Sequence, residues 1–218
     1  MRLILAALVA LTAATLIVFA LWPEIDLDVA RLFHGPAGFV GQTPLGRIGR
    51  EFFRITPYLL LFGFATLYLL RAFGARVPYA PSGRALIFLV ASMAIGPGLI
   101  VNLGLKDHAH RPRPSHVTDF GGQDEFRPWY RFDGACKKNC SFVSGEAAQG
   151  FWMVAPASLA PLPYRPLAIG AALLFGAGAS MLRLAYGGHF LSDALLGGLI
   201  TLIVVVLVHR AVWPDSEP

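Results

Sequence analysis

Six stretches of the 218-residue chain are apolar for long enough to cross, or nearly cross, the hydrocarbon core of a bilayer, about 30 Å thick. They run at about 3–21, 56–70, 85–104, 144–160, 167–182 and 190–208, and each predicts a transmembrane helix. The first, LILAALVALTAATLIVFAL after Met1-Arg2, is longer than the about 7–15 apolar residues of a signal peptide. It ends in Trp22-Pro23-Glu24 rather than in a small-residue cleavage site, so it is expected to stay uncleaved. Gly96-Pro97-Gly98 in the third span should kink it or let another helix pack closely. The fourth span is short and starts at Ser144-Gly145-Glu146.

Between the spans the polar segments differ in character. Segment 23–55 opens with PEIDLDVARLF, acidic near its start with apolar residues at helical spacing. It continues into GRIGREFFRI, where Arg47, Arg50 and Arg54 stand beside Phe52, Phe53 and Ile55. That pattern predicts a helix lying in the membrane interface, with a plain loop of solvated arginines as the alternative. The link 71–84 is rich in Pro and Gly and holds Arg71, Arg76 and Arg84, and 106–143 is a long polar stretch.

Composition agrees with the pattern. The chain is 56% hydrophobic and 14% charged, against about 25% charged in soluble proteins. Its length suits one domain, 1–218. The expected fold is an all-α, integral membrane bundle of six transmembrane helices. The formal charge of +5 is carried largely by arginines in short loops between apolar spans. An anionic lipid headgroup and the bilayer surface are therefore the expected partners, and no nucleic-acid motif is present.

Six spans put both termini on one side and segments 23–55, 106–143 and 183–189 on the other. Of 18 Lys and Arg, only Arg2, Arg71, Arg76, Arg84, Arg165 and Arg210 fall on the terminus side. A bare count would place the long loops in the cytosol. Many of the cations on the loop side are, however, expected to serve a substrate, and the compact Arg71–Arg84 link is the more usual inside signal.

Three clusters carry chemistry. In YGGHFLSDALLGG, residues 186–198, the i,i+4 spacing puts His189 and Asp193 on one helical face. There a carboxylate can hold one imidazole N–H and leave the other nitrogen free as nucleophile or base. Arg183, six residues upstream, adds a cation suited to a phosphate. Lys106 and Arg113 close the third span, with Pro112 and Pro114 stiffening its exit. Ser144 is a natural N-cap before Gly145 and Glu146, where free N–H groups attract an oxyanion. Each cluster also has a plain reading, as snorkelling cations or an ordinary cap. Cys136 and Cys140 make a poor zinc pair; they form a small disulfide in an oxidising compartment or two thiols in the cytosol.

Taken together, K-x6-RP (Lys106, Arg113, Pro114), SG (Ser144, Gly145) and R-x5-H-x3-D (Arg183, His189, Asp193) fall on one face in order. That set resembles the three-part signature of the type 2 phosphatidic acid phosphatase family of membrane lipid phosphatases. The middle PSGH motif departs at two positions, Val143 for proline and Glu146 for histidine, and Leu182 stands for the usual serine before Arg183. The segment HVTDFGGQDEFRPWYRFDGACKKNCSFVSGEAA looks like bacterial members near the lipid A phosphatases.

The resemblance implies a phosphatase that needs no metal or other cofactor, in a bacterial inner membrane with its site facing the periplasm. His189 would attack phosphorus and Asp193 orient it. Lys106, Arg113, Arg183, Ser144 and the Gly145 N–H would hold the phosphoryl oxygens, since this chemistry needs chiefly positioning and charge stabilisation. Glu146 would protonate the leaving oxygen in place of the family's histidine, with His108 or His110 as alternatives. Arg127, Trp129, Tyr130, Arg131, Phe132, Lys137 and Lys138 are expected to form a lid over a polyanionic headgroup or an aromatic belt. Lipid A, undecaprenyl pyrophosphate, phosphatidylglycerol phosphate and phosphatidic acid stay open as substrates. So do transfer of the phosphate to a second lipid and an inactive lipid-binding or transport module.

Overall fold

The computed structural model describes residues 1–214; the end of the expected polar tail lies outside them. Its elements are α1 (Arg2–Leu21), α2 (Glu24–Arg31), a hairpin of β1 (His34–Gly35) and β2 (Gly38–Phe39), α3 (Pro44–Ala72), α4 (Gly83–Met93), α5 (Gly145–Trp152), α6 (Val154–Ser158), α7 (Arg165–Ala185) and α8 (Leu191–Val212). Among the described residues, five helical runs are long and apolar enough to cross a membrane: α1, α3, α4 with its continuation to Leu105, α7 and α8.

α8 is the centre of the bundle. More than half of its most apolar window (56%) is buried, against 6% for α3. Its small residues explain the difference. A Cβ on Gly197 would stand 2.6 Å from the Ser144 carbonyl oxygen, and one on Gly198 would stand 2.5 Å from the Phe151 ring. α5 therefore presses directly on the α8 backbone, the usual device for close helix packing in lipid. Below this contact, Phe88, Leu89, Met93, Trp152, Ala155 and Val205 form a core, with the Trp152 indole donating to Ser92 Oγ at 3.0 Å.

Three expectations change. The arginine-rich stretch 46–55 is not a separate interfacial helix. It is the start of α3, one helix of 29 residues that carries Pro57 inside it. At about 1.5 Å per residue α3 exceeds the hydrocarbon thickness, so its first turns can stand above it. Leu45, Ile48, Phe52, Ile55, Leu59, Phe62 and Leu69 are exposed along it at helical spacing, an apolar stripe that lipid would cover. The fourth expected span is not one helix: it breaks at Met153 into α5 and α6. Pro156 has no N–H to return to Trp152, and the break falls within that turn. At Gly96-Pro97-Gly98 the helix widens rather than simply kinking. From Ala94 to Leu105 the bonding is i→i+5, continued by Lys106 N–H to Val101 O at 3.0 Å. The Asn102 amide donates to the Pro97 carbonyl at 2.7 Å.

Residues 106–144 form no long helix and cover one end of the bundle. Cys136 and Cys140 are joined in a disulfide, Cα atoms 5.7 Å apart. The small loop they close is bonded back to the first cluster: Cys140 N–H to Lys106 O at 3.3 Å, and Arg113 Nη2 to Asn139 O at 2.8 Å. Ala30, Phe39, Val117, Phe120 and Phe190 pack into an apolar plug beneath this cover.

Candidate active site

His189 lies just before α8, 1% exposed. Its Nδ1 is 2.7 Å from the Ser141 carbonyl oxygen and 4.0 Å from Asp193 Oδ2. A carbonyl only accepts, so Nδ1 carries the proton and Nε2 is left with its lone pair. The free nitrogen expected from the i,i+4 spacing is therefore present, but a backbone carbonyl holds the ring rather than Asp193 itself. Burial first, then the charges of Arg183, Lys106 and Arg113, push the imidazole pKa well below its ordinary value. All three cations of the first and third clusters thus act on this one ring.

Those cations are themselves crowded. Burial, then Arg113 and Arg183, bring the Lys106 pKa down to about 8. Burial, then Arg50, lower that of Arg113. Arg183, 3% exposed in its side chain, keeps an Nε–H with no acceptor. A Cβ on Gly188 would fall 2.1 Å from its Nη2, so the chain beside His189 leaves room for the guanidinium only because that residue is glycine. Buried positive charge in excess of the one carboxylate beside it, next to an imidazole with a free nitrogen, suits a multiply charged anion.

Asp193 belongs to a second arrangement behind the ring. Its Oδ2 accepts from Ser141 Oγ at 2.5 Å and from the Phe190 N–H at 2.9 Å, which caps α8. Its Oδ1 accepts from Arg111 Nη1 at 2.5 Å. Arg111 is 1% exposed. It also donates through Nη2 to Asp26 Oδ2 at 2.7 Å, through Nη1 to Ser192 Oγ at 2.8 Å and through Nε to the Arg127 carbonyl at 2.8 Å. Asp26, from α2, closes the set by accepting the Ser192 N–H at 2.9 Å and its hydroxyl at 2.6 Å. The Phe190 ring lies 4.4 Å from the guanidinium. Asp193 is linked to His189 through Ser141: the same serine gives its hydroxyl to the carboxylate and offers its carbonyl to the imidazole.

Ser144 caps α5, its Oγ accepting the Ala147 N–H at 3.3 Å, and its own N–H donates to the Asp193 carbonyl at 3.0 Å. A Cβ on Gly145 would meet Asn102 Oδ1 at 2.6 Å. Glu146 is paired: its Oε1 accepts from Arg50 Nε at 2.9 Å and Nη2 at 2.8 Å, and lies 3.6 Å from Arg183 Nε. His108 is exposed and His110 is bonded to the Cys136 carbonyl at 2.9 Å. The lid expected from 127–138 is only partly cationic in effect. Arg127 pairs with Glu125 at 2.7 Å and Arg131 with Asp133 at 2.5 Å, whereas Lys137 and Lys138 are exposed. Trp129 is half-buried; its indole donates to the Leu16 carbonyl at 3.1 Å and it stacks on Phe142. No three of His, Cys, Asp and Glu are grouped as a metal would require among the described residues.

A buried imidazole with a free nitrogen, acted on by three cations, stands at one end of a bundle of apolar helices long enough to cross a membrane. The chain belongs to the PAP2 superfamily, whose family model matches residues 85–217. It is 34% identical over 212 residues to the lipid A 4'-phosphatase of Francisella tularensis subsp. novicida, covering 92% of each chain. Proteins of the same name from Rhizobium leguminosarum and Rhizobium etli are 34% and 33% identical, covering 88% of this chain in both cases and 88% and 80% of those proteins. No solved structure matches it significantly.

Proposed function

We propose that the protein hydrolyses a phosphate ester of lipid A, by the two-step route its site can support. His189 Nε2 attacks phosphorus, the bond to the sugar oxygen breaks, that oxygen takes a proton from water, and the phosphoryl group rests on the imidazole. The Nδ1 proton stays on the ring, facing the Ser141 carbonyl. Water then attacks phosphorus, the P–N bond breaks, and inorganic phosphate leaves. Lys106, Arg113 and Arg183 balance the charge on the phosphoryl oxygens in both steps, with the α5 N-terminus at Ser144 and Gly145 adding N–H donors. The observation that carries this reading is the single free nitrogen of a buried histidine on which three cations converge. The choice of lipid A rests on the relatives' names and on the near full-length match.

We further propose a single domain with six spans, α5 and α6 together forming the sixth. Gly145, Ala147, Ala148, Gln149, Gly150 and Trp152 are all buried, and a broken helix is tolerated at membrane depth where protein surrounds it. A bacterial inner membrane with the site on the periplasmic side fits the disulfide on the site side and the Arg71–Arg84 link opposite.

Purified protein offered bisphosphorylated lipid A, phosphatidic acid, phosphatidylglycerol phosphate and undecaprenyl pyrophosphate is expected to release free phosphate from lipid A, at one position. Turnover confined to another lipid overturns the substrate assignment, and label appearing on an acceptor lipid instead of in free phosphate makes it a transferase.

Lys106 gives this reading a pH signature. Its ammonium is charged below a pKa of about 8 and neutral above it, so kcat/KM should fall as pH rises through that value. Lys106→Arg keeps the charge and should move the alkaline limb upward. An alkaline limb unmoved in that variant contradicts the assignment.

A further inference from the structure

Arg50 lies in α3, outside residues 85–217 that the family model matches, yet it reaches the site. Its Nε and Nη2 both grip Glu146 Oε1, at 2.9 and 2.8 Å. The same carboxylate oxygen stands 3.6 Å from Arg183 Nε. Arg50 and Arg183 share the Tyr186 ring, at 6.0 and 5.8 Å from its centre, and Arg50 is close enough to Arg113 to depress it. One carboxylate thus bridges two guanidiniums, one 3% exposed at the floor of the site and one 35% exposed at its rim.

A proton donor for the leaving oxygen needs a hydrogen aimed at substrate. Glu146 instead turns Oε1 to two N–H groups of Arg50 and towards Arg183 Nε at 3.6 Å, so the two guanidiniums fix its placement. Charge points the same way: an isolated carboxylate beside a bound phosphate would repel it, and Arg50 offsets that repulsion where a histidine would need no such partner. We infer that Glu146 is a positioning residue that fixes Arg50 and Arg183, and that Arg50 is a further phosphate-binding residue recruited from α3. This rests on the phosphatase reading above.

The test is a double-mutant cycle of Arg50→Gln and Glu146→Gln, on lipid A and on p-nitrophenyl phosphate, whose leaving group needs no proton. Each single variant is expected to lower kcat/KM about 10- to 100-fold, the worth of a charge-assisted hydrogen bond. The loss should be equal on lipid A and on any aryl ester turned over. The double variant should be little worse than either single one, as for residues acting as a unit, and the pH profile of kcat should keep its limbs. Arg50→Lys should recover part of the loss, since charge returns without the fork. Strictly additive losses, a limb that disappears in Glu146→Gln, or damage confined to lipid A restores Glu146 as the acid and overturns the inference. Wild-type protein inert on both substrates fails the phosphatase reading itself; active wild type with an equally active Arg50→Gln fails only this one.

Discussion

His189→Ala lowers kcat for phosphate release by at least about 10⁴-fold, the scale of losing a covalent nucleophile. The fold should survive, because the imidazole's hydrogen bond among the described residues is to a backbone carbonyl, and its loss leaves the Arg111 cluster intact. Substrate binding should also survive, because Arg183, Lys106 and Arg113 remain. The check is single-turnover kinetics beside equilibrium binding of lipid A. Phosphate release at more than a hundredth of the wild-type rate would mean that another group attacks phosphorus.

Arg111→Met acts on the fold as well as on the reaction. It leaves Asp26 and Asp193, 1% and 0% exposed, without the cation that lies between them. Removing one partner of a buried ion pair costs about 3–5 kcal/mol, and here two carboxylates are stranded by one change. The variant should unfold at markedly lower temperature in detergent and lose activity, since Asp193 no longer holds Ser141 against His189. Adding Asp26→Asn removes one stranded charge and should recover part of the stability without restoring turnover. A thermal midpoint equal to the wild type in Arg111→Met would show that the buried pairing contributes nothing.

Much of the site is legible along the chain because its chemistry is local. His189 and Asp193 share a helix start, Lys106 and Arg113 bracket one exit, and Ser144 begins α5. Long apolar runs likewise announce α1, α7 and α8. What escapes is whatever depends on pairing between distant segments. Arg111 sits inside the K-x6-RP spacing as an apparent filler, and Asp26 as one acid among several in a polar connection; only folding brings them within 2.7 Å. Arg50 is one of three arginines at helical spacing, and nothing local tells it from Arg54, which pairs with Glu51. The Ser141 carbonyl cannot be read from side chains at all, being backbone. Pro156 did carry a usable signal, since a proline in the middle of so short a span breaks the helix it interrupts.

The stereochemical course at phosphorus tests covalent catalysis most directly. A phosphate ester of lipid A made chiral with sulfur and oxygen isotopes, hydrolysed in isotopically labelled water, should give thiophosphate with overall retention, the sum of two in-line displacements. Inversion would mean that water attacks the substrate directly, and His189 would then have no place as the nucleophile.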